Sequence, residues 1–420
     1  MRDLICEVSS NNASGLTPRK WRKASPTEMA YIATRMLVVS RSSIAGRVSK
    51  AQFERAITTL EARYGILRSV VVDGEFVERD DDASALQGWF CAKQWTADAM
   101  YAMLLDAKLD TRERIYSVHV IASDDVLDVF VLSSHAVTDA SSLIELHACL
   151  AHICDCIVRG VDPALDAQTF PDPVDAAVDA AVEQNQAAPA LWAGTYAQIP
   201  LAARCDSVSG CLRHRLERME IGANHVLRIR AAAHAHGSSV HALLLAAFAL
   251  AIAEAAETKE KRILMRSAID MRRRLEPHVS AELVFSAITG HISPVDDLDQ
   301  PLFKIAKIIF DDIHSGVTNG LIFEDYRNYA TAFGSKQQAP VAMSVSDMQT
   351  VKFHWPTQQL KVTGFEYAAG WLKRFPNVSV SVFDGTLIAN VVYVEDFVDP
   401  VTMRAICKSA KRRLFAVCAS

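Results

Sequence analysis

The chain has 420 residues, of which 50% are hydrophobic, 22% charged and 8% aromatic. Those proportions belong to globular proteins and exclude disordered, collagen-like and fibrous chains. Lys plus Arg number 44 against 49 for Asp plus Glu, a net charge of −5, so no overall basic character points to nucleic acid.

The length predicts two or three domain-sized units, or one large two-lobed enzyme. The longest unbroken apolar run, Ala242 to Ala253, stops after 12 residues at Glu254. A spanning helix needs about 20, so no transmembrane segment is expected. Met1 to Ser10 lacks the apolar centre of a secretory signal. Nine cysteines, an odd number without regular spacing, suit free thiols in a reducing compartment, and a cytoplasmic setting is expected.

In chain order, Ser25-Pro26-Thr27-Glu28 starts a helix, with Pro just inside and Glu in the first turn. Met36 to Val39 is a short apolar run. Phe53, Ala56, Ile57, Leu60 and Tyr64 recur at helical spacing. Ile66 to Val72 reads as a strand that ends at the Asp73-Gly74 turn. Tyr116 to Ile121 and Val126 to Leu132 read as strands, the second buried on both faces. A helix follows over Ser141 to Val158. Between Gly160 and Pro200 five prolines mark a connection, with a short helix over Val174 to Gln186. The second half opens with a strand, Arg213 to Ile221, and a helix, Ala223 to Ala235. Gly237-Ser238-Ser239 stops that helix and starts a buried one, Val240 to Ala256. Val378 to Phe383 and Leu387 to Val394 flank Asp384-Gly385, a hairpin signal. Both halves alternate helix and strand, which predicts an α/β protein of two lobes.

The chemistry concentrates at Ser133-Ser134-His135-Ala136-Val137-Thr138-Asp139-Ala140. His135 falls where a buried strand ends and a helix begins, the end of an open sheet at which ligands gather. A histidine there, four residues before Asp139, suits a general base with a group that fixes its loop. A solvated turn histidine and a helix-capping Asp share the same spacing. Standard dinucleotide, phosphate-loop, nucleophile-elbow and zinc-protease motifs are absent. Gly316-Val317-Thr318-Asn319-Gly320 has elbow-like spacing but follows no strand, and reads as a loop. His147, Cys149, His152, Cys154 and Cys156 crowd together, yet on one helix they do not converge on one face, so no metal site is expected. Arg266, Arg272, Arg273 and Arg274 form a basic cluster, read either as a solvated face or as holding a buried arginine paired with a carboxylate.

Taken together these segments resemble the chloramphenicol-acetyltransferase-like superfamily, which includes nonribosomal peptide condensation domains, polyketide-associated acyltransferases and plant BAHD acyltransferases. Ser134 to Ala140 is similar to its His-x-x-x-Asp signature, with Ser134 in place of the first of two histidines and Ala140 in place of Gly. Arg63-Tyr64-Gly65-Ile66-Leu67-Arg68 resembles the Arg-His-x-x-Leu-Arg segment. Ala268 to Pro277 resembles Val-Asn/Asp-Leu-Arg-x-Arg-x-x-Pro, Gly237 to Ala247 the buried helix before it, and Asp384-Gly385 the last hairpin. No Asp-Phe-Gly-Trp-Gly occurs, which argues against the plant branch. Ala342 to Met348 resembles the bacterial Ser-Asn-x-Gly segment, with Asp347 for Asn and Gln349 for Gly.

The resemblance implies two α/β lobes with mixed sheets flanked by helices and an active-site tunnel between them. It divides the chain into residues 1–175, an interlobe connection at 176–205, and 206–420, and implies a monomer. It makes His135 the general base, Asp139 a loop-holding residue, Arg272 its ion-pair partner, and Ser344 and Ser346 oxyanion candidates. It implies no permanently bound cofactor. The donor would be acyl-CoA or a phosphopantetheinyl carrier protein, and the acceptor a small alcohol or, second, an amine. An inactive carrier-protein-binding module and a thioester hydrolase are the alternatives.

Overall fold

The computed structural model describes residues 19–79, 84–185, 192, 194–202, 213–257, 259–276, 278–280, 282–332, 339–370 and 374–418. Met1 to Ser10, parts of the 176–205 connection and Pro277 lie outside the described residues. The first half supplies β1 (Lys20–Lys23), α1 (Pro26–Ala33), β2 (Leu37–Ala45), α2 (Lys50–Arg63), β3 (Ser69–Val72), β4 (Glu75–Glu78), β5 (Leu86–Cys91), α3 (Ala97–Leu105), β6 (Tyr116–Ala122), β7 (Val126–Ser134), α4 (Ala140–Arg159) and α5 (Asp175–Asn185). The second half supplies β8 (His214–Ile221), α6 (Ala223–Ala235), α7 (Val240–Ala256), β9 (Ile263–Asp270), β10 (Ile288–Val295), α8 (Leu302–Thr318), α9 (Leu321–Ala332), β11 (Val341–Thr350), β12 (Lys361–Gly370), β13 (Asn377–Phe383), β14 (Thr386–Val394) and α10 (Pro400–Ala416).

Local chemistry sets many of these boundaries. Ser25 caps α1 in a reciprocal capping box with Glu28, and Ser239 caps α7 by accepting from the Ala242 N–H. Gly160 ends α4 in the left-handed conformation. Asp73-Gly74 and Asp384-Gly385 turn their hairpins with φ of 50° and 76°, and of 46° and 79°. Ile66 to Val72 is only partly a strand. Gly65–Arg68 form a 3₁₀ turn, because the Leu67 N–H reaches the Tyr64 carbonyl and Ser69 Oγ donates to the Ile66 carbonyl. The segment 316–320 is likewise not a free loop: Gly316 to Thr318 are the last residues of α8. A Cβ on Gly316 would lie 2.3 Å from the ring of His291, so packing demands that glycine.

Among the described residues three mixed or antiparallel sheets result, in the orders β1-β4-β3, β12-β2-β7-β6-β5 and β10-β9-β11-β13-β14-β8. The division at 176–205 does not separate the two large sheets. β12, from the second half, runs antiparallel along β2 from Lys361 opposite Ala45 to Gly370 opposite Leu37. Its alternating Phe365, Tyr367 and Ala369 complete the apolar face that β2 and β7 present to α2 and α4. α7 and α10 cover the six-stranded sheet over a second core. α4 is long and apolar enough to cross a membrane, but 78% of its apolar window is buried inside the protein, where it is the core helix of the first sheet. β7 and β2 thus deliver their ends to the seam where β9, β10, β11 and β12 meet them.

Candidate active site

His135 sits one residue beyond β7, in a turn fixed by its backbone. Its N–H donates to the Met36 carbonyl at 2.9 Å, and Thr138 and Val137 N–H groups fold back on the Ser134 carbonyl. Ser133 and Thr138 close the turn through their hydroxyls. The imidazole is 4% exposed. It stacks on Tyr31 of α1, with ring centres 4.9 Å apart and planes at 15°. Ser286 Oγ lies 3.3 Å from Nδ1. Burial pulls the imidazole below its usual range, against hydrogen bonding and the Asp139 charge, which favour the protonated form. A neutral histidine able to accept a proton follows.

Asp139 ends the same turn as the N-cap of α4, its Oδ1 accepting from the Ser142 N–H at 3.0 Å. The carboxylate points at Arg272, not at the imidazole. Nη1 reaches Oδ2 at 2.6 Å and Nη2 reaches Oδ1 at 3.0 Å, and the Ala287 N–H adds a fourth bond at 2.9 Å. Burial opposes ionisation here, but the Arg272 charge and these donors hold the carboxyl below its ordinary range. Arg272, only 2% exposed, also donates to the Phe285 carbonyl and Ser142 Oγ and lies over the Phe285 ring. The arginine cluster therefore splits: Arg272 is buried, Arg273 and Arg274 are exposed, and Arg266 faces a cavity.

That cavity holds about 500 Å³ of atom-free space including its mouth, and opens beside His135. Tyr31, Met36, Val38 and Ala140 line it from the first half; Arg266, Ile288, Tyr329, Ser346, Tyr367 and Asn377 from the second. Both sheets contribute, so the cavity exists only where they join. Of the two oxyanion candidates, Ser346 lines it and Ser344 does not. Ser344 is fully buried and accepts from Arg266 Nη1 at 3.2 Å. The Tyr367 hydroxyl lies 2.8 Å from the Ser346 carbonyl and 2.9 Å from Ser346 Oγ. One phenolic hydrogen cannot serve both acceptors fully, so the Ser346 hydroxyl hydrogen closes onto Tyr367 or turns into the cavity.

Tyr31, Tyr329 and Ser286 were not legible as site residues. Tyr31 stands on the buried face of α1 like any core aromatic, and only the fold sets it against His135. For Arg266 a signal existed: strand alternation puts it on the face of Ala268, opposite Ser267 and Ile269. The histidines and cysteines of α4 go elsewhere. His147 lies between Ser40 and Ser42 at 2.8 and 2.7 Å, and His152 contacts the Pro356 carbonyl. Among the described residues no group of three metal-ligating side chains converges.

Residues 212–388 match a family model, the C-terminus of phthiocerol/phthiodiolone dimycocerosyl transferase. No curated protein matches by sequence. Polyketide synthase associated protein 5 from Mycobacterium tuberculosis has a TM-score of 0.70 at 15% identity, over 94% of this chain and 98% of that one. The epimerization domain of the third module of tyrocidine synthetase B also gives 0.70 at 15%, over 98% of both. Trichothecene 15-O-acetyltransferase from Fusarium sporotrichioides gives 0.67 at 12%, over 95% of both. Over nearly its whole length the chain has the fold of these condensation domains and acyltransferases, and over residues 212–388 its sequence matches the dimycocerosyl transferase C-terminal model.

Proposed function

We propose that the protein transfers an acyl group from a thioester to a hydroxyl group, with His135 as the general base. The observation that carries this reading is a neutral, buried imidazole at the wall of an interlobe cavity, on a loop whose carboxylate is committed to Arg272. Nδ1 faces Ser286, so Nε2 is the nitrogen assigned to the acceptor hydroxyl. An alcohol is far less acidic than imidazolium, so its proton leaves as its oxygen attacks the thioester carbonyl. The tetrahedral oxyanion needs a fixed donor, and Ser346, turned into the cavity, is the side chain placed to supply one. Collapse expels the thiolate, which takes the proton back from His135. No acyl-enzyme is needed, because the thioester is already activated.

The donor is an acyl-CoA or an acylated phosphopantetheinyl carrier protein. A hydroxyl acceptor is preferred to an amine because the family model and one similar structure are named for a dimycocerosyl transferase and an O-acetyltransferase. Mass spectrometry of a thioester panel incubated with pooled alcohols and amines tests this. Ester product that requires added alcohol supports it. Preferential amide excludes the acceptor class, alcohol-independent free acid points to hydrolysis, and no product from any thioester points to a binding module.

A further inference from the structure

We propose that Asp347, braced by His241, is a positioning residue for the reaction: from the face of the sheet opposite the cavity it locks the β11 bulge that aims Ser346 at the developing oxyanion. The proposal rests on the acyl-transfer reading of this site and deepens it.

β11 carries one residue too many for its neighbour. Ser344 to Asp347 pair step for step with Asn377 to Val380 of β13, but the next partners are Thr350 and Val382. Met348 and Gln349 thus stand opposite Ser381 alone. Gln349 takes φ of 54°, in the left-handed region that an L side chain rarely adopts. Such an extra residue is a β-bulge, which bends its strand and re-aims the side chains beside it. The two cores register the change: Val345 packs in the second, whereas Val351, of the same parity, packs in the first. Ser346 stands two residues before Met348, lining the cavity with its hydroxyl against that of Tyr367.

Asp347 closes the bulge. Its Oδ1 accepts from the Gln349 N–H at 2.7 Å, and its side chain is only 3% exposed. Successive strand residues face opposite ways, so Asp347 lies behind the wall that Ser346 lines, beneath the first turn of α7. There its Oδ2 is 3.9 Å from His241 Nδ1, and His241 Nε2 is 2.9 Å from Ser267 Oγ. Burial pushes the Asp347 carboxyl up to about 6 and pulls His241 down to about 4. At pH 7 a carboxylate therefore meets a neutral imidazole. With Nε2 accepting from the Ser267 hydroxyl, the ring hydrogen stays on Nδ1, towards the carboxylate. Arg230 of α6 adds a favourable charge, and its Nη2 donates to Thr350 Oγ1 at 3.2 Å, just past the bulge. Ser267, His241 and Asp347 follow the order of a nucleophile triad, but Ser267 is 1% exposed within β9, closed to a substrate. The order serves instead to fix β9, α7 and the bulge of β11 to one another.

The test uses the full-length protein, with acetyl-, octanoyl- and palmitoyl-CoA as donors and 1-octanol as acceptor. Asp347→Ala is expected to lower kcat by about 10- to 100-fold, the loss that a displacement of about 1 Å can bring, with KM nearly unchanged. Adding Gln349→Gly should recover most of that loss, because glycine takes the left-handed conformation without a group to hold it. Asp347→Asn, which keeps Oδ1 as an acceptor, should stay within a few-fold of wild type. In a Ser346→Ala background Asp347→Ala should add little, since two changes that act through one hydroxyl are not additive. An unchanged kcat in Asp347→Ala, a loss that Gln349→Gly does not recover, or full additivity with Ser346→Ala overturns the proposal. Urea denaturation of wild type, both single variants and the double variant reads the same coupling without turnover: Gln349→Gly should stabilise Asp347→Ala more than it stabilises wild type. If wild type turns over no thioester, that excess upholds the lock and rejects the acyl-transfer reading, while its absence overturns the lock as well.

Discussion

Asp139 and Arg272, 133 residues apart in the chain, meet in a two-point ion pair that fastens the His135 loop to the strand-bearing segment facing it. Each carboxylate oxygen already accepts two hydrogen bonds, from Arg272 and a backbone N–H. Nothing is left over for the imidazole. The pair is therefore a device of position and not a relay to the imidazole.

Removing one partner leaves the other charge buried. Asp139→Ala should cost about 3–5 kcal/mol of stability and lower activity with it, because both Ser142 and Ala287 N–H groups lose their acceptor. Arg272→Met should behave similarly. Urea denaturation of both variants checks this; a variant as stable as wild type contradicts a structural role.

The Asp139 carboxyl also predicts an acid dependence. Its folded pKa lies below the unfolded value of about 3.9, so its stabilisation is complete above that value and is lost as pH falls through the folded pKa. His147 adds a second dependence at higher pH. Burial between Ser40 and Ser42 pulls it to about 3, so from about pH 6.5 downward the unfolded chain takes up a proton that the folded chain refuses. Stability should fall there with a slope of up to about 1.4 kcal/mol per pH unit from this group. His147→Asn should flatten that slope between pH 6 and 4, whatever it does to absolute stability. An unchanged slope would show that His147 titrates normally.

The same reasoning gives the rate profile. With His135 held below its ordinary range, kcat/KM should stay on its plateau through pH 6.5 and decline only at lower pH. An acid limb centred above 6.5 would mean that the imidazole is charged in the free enzyme.

The two serines separate cleanly. Ser346→Ala should lower kcat by about 10²–10³-fold if its hydroxyl meets the oxyanion. Ser344→Ala, whose hydroxyl is buried against Arg266 and outside the cavity lining, should leave kcat close to wild type. Equal effects of both would remove the distinction drawn from their positions.

Much of this was legible before the fold. Capping boxes, the two Asp-Gly hairpins and the helical spacing of Phe53 to Tyr64 are local signals, and local physics decides them. The place of His135 at the end of a buried strand was also readable, as was a partner for Asp139 among the arginines. The crossover was not: nothing within Lys361–Gly370 says that it pairs with β2 some 320 residues earlier. Tyr31 escaped for the same reason. Its role depends on what packs against it, and a stacking face has no signature in one sequence.

The most direct measurement is single-turnover transfer from a turned-over thioester by wild type and His135→Ala, followed by product mass and paired with thermal melts. The account predicts a loss of about 10²–10⁴-fold in the chemical step with a nearly unchanged melting temperature. A folded His135→Ala variant that keeps more than half the wild-type rate would contradict it.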